Sequence, residues 1–71
     1  MSLAWETTEE DILTCLFAMG KKDLMPEEVS EIHSNLDHHA IESSALLGGD
    51  FDEQVLFAYH EIKKQIRKMD F

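Results

Sequence analysis

"DFDEQVLFAYHEIKKQIRKM", residues 50 to 69, decides the fold of this chain. Asp50 is a good N-cap, and Glu53 three residues later completes the S/T/D-x-x-E signature of a helix start. Phe51, Val55, Tyr59, Ile62, Ile66 and Met69 then recur at steps of three and four, the spacing of a helix with one apolar seam. Lys63, Lys64, Arg67 and Lys68 crowd the far end, where cations complement the helix dipole. The pattern predicts a helix over 51–69, about 30 Å long at 1.5 Å per residue. Nothing else in the chain alternates at period two or forms a β-branched run, so the expected fold is all-α, with this helix as its spine.

One turn of that spine breaks the pattern. At about 100° per residue the seam fills one side of the helix, yet Phe57 falls nearly opposite it and Leu56 lies between the two faces. "VLFAY", 55 to 59, is therefore apolar all the way round. A helix apolar on every side is expected to be buried on every side. Trp5 or Phe17 could supply the cover from within the chain. A second copy could supply it from outside, and a short chain with a thin core gains most from that; symmetric dimers are also the commonest oligomers. Leu56 and Phe57 are thus the expected interface residues of a homodimer.

Working back toward the N-terminus, "GGD" at 48 to 50 ends whatever precedes it. Residues 26–47 read as two segments, 26–36 and 37–47, or as one kinked helix. Pro26 suits a first helical turn, Val29, Ile32 and Leu36 form a stripe, and Asp37 is a fitting N-cap for a segment carrying Ala40, Ile41, Ala45, Leu46 and Leu47. Farther back, "TTEED" offers Thr7 or Thr8 as a cap, with Glu10 completing a box from Thr7. Ile12, Leu13, Leu16 and Met19 follow, and Gly20 is a natural stop, which places a helix over 8–19. Trp5 could fold back over its first turn. The expectation is one domain over 1–71, a bundle of three to four helices with residues 1–6 flexible or loosely docked.

Charge narrows the function classes. The 71 residues carry a formal charge of −9. All the bases sit at Lys21 and Lys22 and along 63–68; between Asp23 and Glu61 there are ten acids and no Lys or Arg. Such a field repels phosphate and anionic lipid, which argues against direct nucleic-acid binding and against a membrane surface. Acidity favours solubility in the first place. It would also suit a surface that competes with nucleic acid for a basic protein partner, with Glu27, Glu28, Glu31, Asp37 and Glu42 as the carboxylates concerned. No apolar run approaches the roughly 20 residues of a membrane span, and the first twenty residues carry four acids and no base, against a secretory leader. The single cysteine, Cys15, fits a reducing compartment, so the expected location is cytoplasmic.

"IHSNLDHH", 32 to 39, holds three of the four histidines. His33 with Asp37, and His38 with Glu42, share i,i+4 spacing, which makes these four the candidates for a metal site. Against it, neighbouring His38 and His39 diverge by about 100°, Asp37 reads as a cap, and no paired CxxC or HExxH pattern is present. The plain alternative is a polar helix junction, and a proton switch lies between the two. Cys15, inside an apolar stripe, and the serines lack any activating motif, and "LLGGD" is followed by no lysine to make a phosphate loop. The expectation is a non-enzyme without metal or cofactor.

"LFAMG", followed by Ala40, Ile41, Leu46 and Leu47, resembles the ubiquitin-associated domain over residues 9–47, a three-helix module with a Met-Gly turn after its first helix. The resemblance departs at Lys21, where that family has an aromatic, and at Pro26. A helix-turn-helix reading of 27–47 meets Asp37 and Glu42 where a recognition helix needs Arg or Lys. "WETTEEDIL" and "DEQ…AYHEI" are similar to small acidic uncharacterised proteins of bacteria and their phages or plasmids, a resemblance that implies an accessory protein and no particular activity. The sequence as a whole points to a small acidic helical protein acting through protein–protein contact by self-association, with mimicry of nucleic acid toward a basic protein as the alternative.

Overall fold

The computed structural model describes residues 5–21 and 23–69. It contains four helices: α1 Glu9–Ala18, α2 Pro26–Asn35, α3 His38–Ala45 and α4 Phe51–Met69. The described residues include no strand. The molecule is therefore a small all-α bundle. α1 packs on both α2 and α4, and α3 lies along α4. The long axis of the molecule measures 34 Å, set by the roughly 28 Å of α4.

The helix boundaries follow from cap chemistry. Thr8, rather than Thr7, caps α1, and its box partner is Asp11 rather than Glu10: the Asp11 N–H donates to Thr8 Oγ1 at 3.2 Å, and the Thr8 N–H donates to Asp11 Oδ2 at 3.0 Å. Thr7 is buried instead, its hydroxyl accepting from Trp5 Nε1–H at 3.2 Å. α1 ends in a Schellman turn: Gly20 adopts φ +82°, and the Lys21 N–H reaches back to the Leu16 carbonyl at 2.9 Å. Pro26 opens α2, where its missing N–H leaves no gap. Residues 26–47 form two helices. The break comes at Leu36, which is extended, and Asp37, whose Oδ1 accepts the Ala40 N–H at 3.1 Å. Asp50 Oδ1 accepts the Glu53 N–H at 2.9 Å, but the Glu53 carboxylate turns to the Gly49 N–H rather than back to Asp50.

The core draws on every helix: Ile12, Cys15 and Leu16 from α1, Val29 and Ile32 from α2, Ile41 and Ala45 from α3, and Ala58, Ile62 and Ile66 from α4. The buried line of α4 thus runs through Ala58 rather than through Phe51, which is 71% exposed at the helix's first position. Leu46 and Leu47 also leave the stripe predicted for them. α3 stops at Ala45, and both leucines are exposed on the turn beyond it.

Candidate interaction surface

Two polar clamps hold α4 in place and so decide which of its sides is free. Toward α1, Tyr59 O–H donates to Asp11 Oδ1 at 2.8 Å, and the Cys15 thiol points at the Tyr59 carbonyl at 3.8 Å. Trp5 meets the Tyr59 ring edge-on at 6.3 Å between centroids. Burial, reinforced by the hydrogen bond to Asp11, pushes the Tyr59 phenol up to about 12. Burial also pushes the Cys15 thiol up to about 11, which keeps it protonated near neutral pH. Toward the α2–α3 junction, Gln65 Oε1 accepts the Asp37 N–H at 2.8 Å, while its Nε2 donates to the Asp37 carbonyl at 3.3 Å and to Glu61 Oε2 at 3.0 Å.

With Tyr59 and Gln65 turned inward on either flank, Leu56, His60, Lys64 and Arg67 are left on the outer side of α4, and all four are exposed. Leu56 keeps 65% of its surface. Phe57 is half-buried, on the flank of α4 that faces α3; it lines an open crevice of about 290 Å³ with Ser44, Leu47 and His60. The two neighbours expected to share one contact therefore sit on opposite shoulders of the outer face. Neither aromatic expected as cover is placed for it: Trp5 packs on Tyr59, and Phe17 is 60% exposed on α1.

The histidine cluster is occupied with backbone. His33 Nε2 lies 2.8 Å from the Thr7 carbonyl, and His38 Nε2 lies 2.8 Å from the His33 carbonyl. Both partners are carbonyl oxygens, so both Nε2 atoms must carry the hydrogen. His38 thereby satisfies a carbonyl left open at the C-terminal end of α2, and His33 ties the segment before α1 to α2. The rings stand 4.8 Å apart at 57°, beside a hollow that Glu6 and Thr7 also line. Asp37 is spent as the α3 cap, and Glu42 approaches His39 at 4.0 Å. Among the described residues no three His, Cys, Asp or Glu side chains are placed to hold a metal ion.

The five carboxylates of the mimicry reading fare unevenly. Glu27 and Glu31 are exposed on α2, whereas Glu28 and Glu42 are half-buried. Glu28 Oε1 accepts the Met25 N–H at 3.5 Å in the α2 cap, and Asp37 caps α3.

No protein family matches the chain, and no curated protein or solved structure is similar to it. No described helix is long and apolar enough to cross a membrane. Sequence reasoning had no means of finding one part of this surface: the exposure of Leu46, Leu47 and Phe51 depends on where α3 stops and where cover over α4 begins, and helical spacing records neither.

Proposed function

We propose that this is a non-enzymatic cytoplasmic protein that works through protein–protein contact, and that its partner in that contact is a second copy of itself, met by the outer side of α4. The observation that carries this reading is the 65% exposure of Leu56 in mid-helix, beside a half-buried Phe57 whose crevice is open. An apolar pair so placed gains from cover that the described residues do not provide.

The test is molar mass in solution, by light scattering after size exclusion, for the wild type, Leu56→Asp and Phe57→Asp. The expected result is a dimeric wild type and a folded, monomeric Leu56→Asp. Phe57→Asp is expected to lose both the dimer and some stability, because its ring is half-buried against the α3 side. An unchanged mass for both variants, with circular dichroism intact, would remove the interface from this side of α4.

The alternative, an acidic mimic of nucleic acid occupying a basic site on a DNA-binding protein, draws on Glu27 and Glu31 as its freest charges. Of the five carboxylates three are exposed, Glu27, Glu31 and Asp37, and Asp37 is engaged as the α3 cap, which leaves little of a phosphate ladder, so self-association is the better-supported reading.

A further inference from the structure

The outer side of α4 carries an ordered arrangement of charge as well as an exposed leucine. Glu53, Leu56, His60, Lys64 and Arg67 fall within an arc of about 80° on the side away from Ile62, and all are exposed. Their steps of three and four residues amount to a second seam, polar where the inner one is apolar. Acid occupies only its beginning, with Glu53 and, on one flank, Asp52, and base only its end, with Lys64, Arg67 and, on the other flank, Lys68.

The cations are also unanswered among the described residues. Among the described residues the one ion pair joins His39 to Glu42, and no carboxylate lies within 4.0 Å of Lys63, Lys64, Arg67 or Lys68. Lys63, Lys64, Arg67 and Lys68 are four of the six basic residues in a chain of net charge −9, so this end of α4 is where the acids of a second copy meet most positive charge.

From this distribution we infer that the second copy docks antiparallel along α4, about a two-fold axis near His60. The inference rests on the self-association proposed above and adds its geometry. Asp52 and Glu53 stand eight and seven residues before His60; Arg67 and Lys68 stand seven and eight after it. A two-fold at His60 therefore sets Glu53 opposite the partner subunit's Arg67, twice over by symmetry, and brings Asp52 to the same end of the contact as the partner subunit's Lys68. Glu53 keeps one carboxylate oxygen for this, since the Gly49 N–H takes only Oε1. Leu56 then lies at the level of the partner subunit's Lys64, whose aliphatic stem covers it while the ammonium group stays wet. A parallel pairing is excluded by the same charges, because it stacks the two basic ends on one another. A single pair of helices this short buries less than the roughly 1,200–2,000 Å² of a standard interface, so the contact belongs with weak, reversible association and charge matching selects the orientation.

Two reversed chains test it: Asp52→Lys with Glu53→Lys, and Arg67→Glu with Lys68→Glu. Each is run alone and then mixed in equal amounts, by sedimentation velocity across a range of concentrations beside the wild type. Antiparallel docking predicts that each reversed chain alone associates roughly tenfold more weakly or not at all, and that the mixture forms a heterodimer as tight as the wild-type dimer. A dimeric wild type whose reversed variants also dimerise unaided would overturn the antiparallel geometry while leaving self-association standing. A wild type that stays monomeric to millimolar concentration would overturn both. Should a reversed chain lose its helical circular dichroism, Glu53→Gln and Arg67→Gln replace it. Each is expected to weaken the dimer several-fold, and a dimer unchanged by both would equally overturn the geometry.

Discussion

The inner and outer sides of α4 share a spacing and differ in everything else. Inside, Ala58, Ile62 and Ile66 are fully buried, with Tyr59 and Met69 packed at their edge. Outside, Glu53, Leu56, His60, Lys64 and Arg67 repeat at similar steps and stay exposed. Spacing of three and four says that residues share a face. Whether the chain itself covers that face depends on what the residues are. Aliphatic side chains without polar atoms are drawn together by loss of water contact, whereas a stripe alternating acid, leucine, imidazole and base can be covered only by something that answers its charges.

The comparison breaks most visibly from the inside. Ile62→Ala removes a side chain with no exposure at the centre of the bundle and should cost about 3 kcal/mol, a large share of the 5–15 kcal/mol that holds a domain together. Denaturant unfolding is the measurement, and a loss under about 1 kcal/mol would mean that the core closes around the gap. Next comes the turn that sets α4 in position. A Cβ on Gly48 would lie 2.6 Å from the Gln54 nitrogen and 2.8 Å from the Glu53 carbonyl carbon, and backbone atoms there cannot swing aside. Gly48→Ala should therefore cost about 2 kcal/mol. Gly49 meets only the Glu53 side chain at 3.1 Å, so Gly49→Ala is the milder control.

How much of this was legible beforehand follows the same division. The long helix was readable at both ends because cap and dipole chemistry are local: Asp50 and the cluster from Lys63 to Lys68 mark it without reference to other elements. Asp37 as a cap, Gly20 as a stop and Cys15 as a core residue were readable for the same reason. The centre line of α4 was less so. Phe51 has the right angle but precedes the part of the helix that its neighbours cover, and Ala58 is too small to draw attention although it is wholly buried. Leu46 and Leu47 were misplaced because the sequence does not say that α3 stops at Ala45. Leu56 and Phe57 stood out as off-stripe residues, but their separation onto two shoulders depends on Tyr59 binding Asp11 on one flank and Gln65 binding Asp37 on the other. Those are tertiary contacts that no periodicity contains.

Alkaline pH probes the edge between the two sides. Tyr59 and Cys15 sit where α4 meets α1, and burial raises both, from 10.0 to about 12 and from 9.0 to about 11. A raised value means that the folded chain holds these protons more tightly than the unfolded one. Their contribution to stability is complete below pH 9.0 and is lost as pH rises through about 11 and about 12. Denaturation midpoints should fall steadily across that window, and Tyr59→Phe should flatten the upper part of the fall. An equal fall in wild type and Tyr59→Phe would locate the alkaline sensitivity elsewhere.

The smallest expected effect is the most informative about the outer side. Leu56→Ala trims an exposed leucine in favour of the best helix former, so at low protein concentration its unfolding free energy should match the wild type within about 0.5 kcal/mol. The same substitution at Ile62 costs several times as much. Raising the concentration separates the outer side from plain solvent-facing surface. If a second copy covers Leu56, the wild type gains stability by mass action as concentration rises through the dimer's dissociation constant, and Leu56→Ala gains less. Melting temperatures followed over a hundredfold range of concentration read this directly. Two curves rising together would leave Leu56 outside the contact, and two flat curves would make the outer side of α4 an ordinary wet face. A wild-type curve that climbs away from a flatter mutant requires an exposed residue, worth nothing to the monomer, to be worth something to the pair.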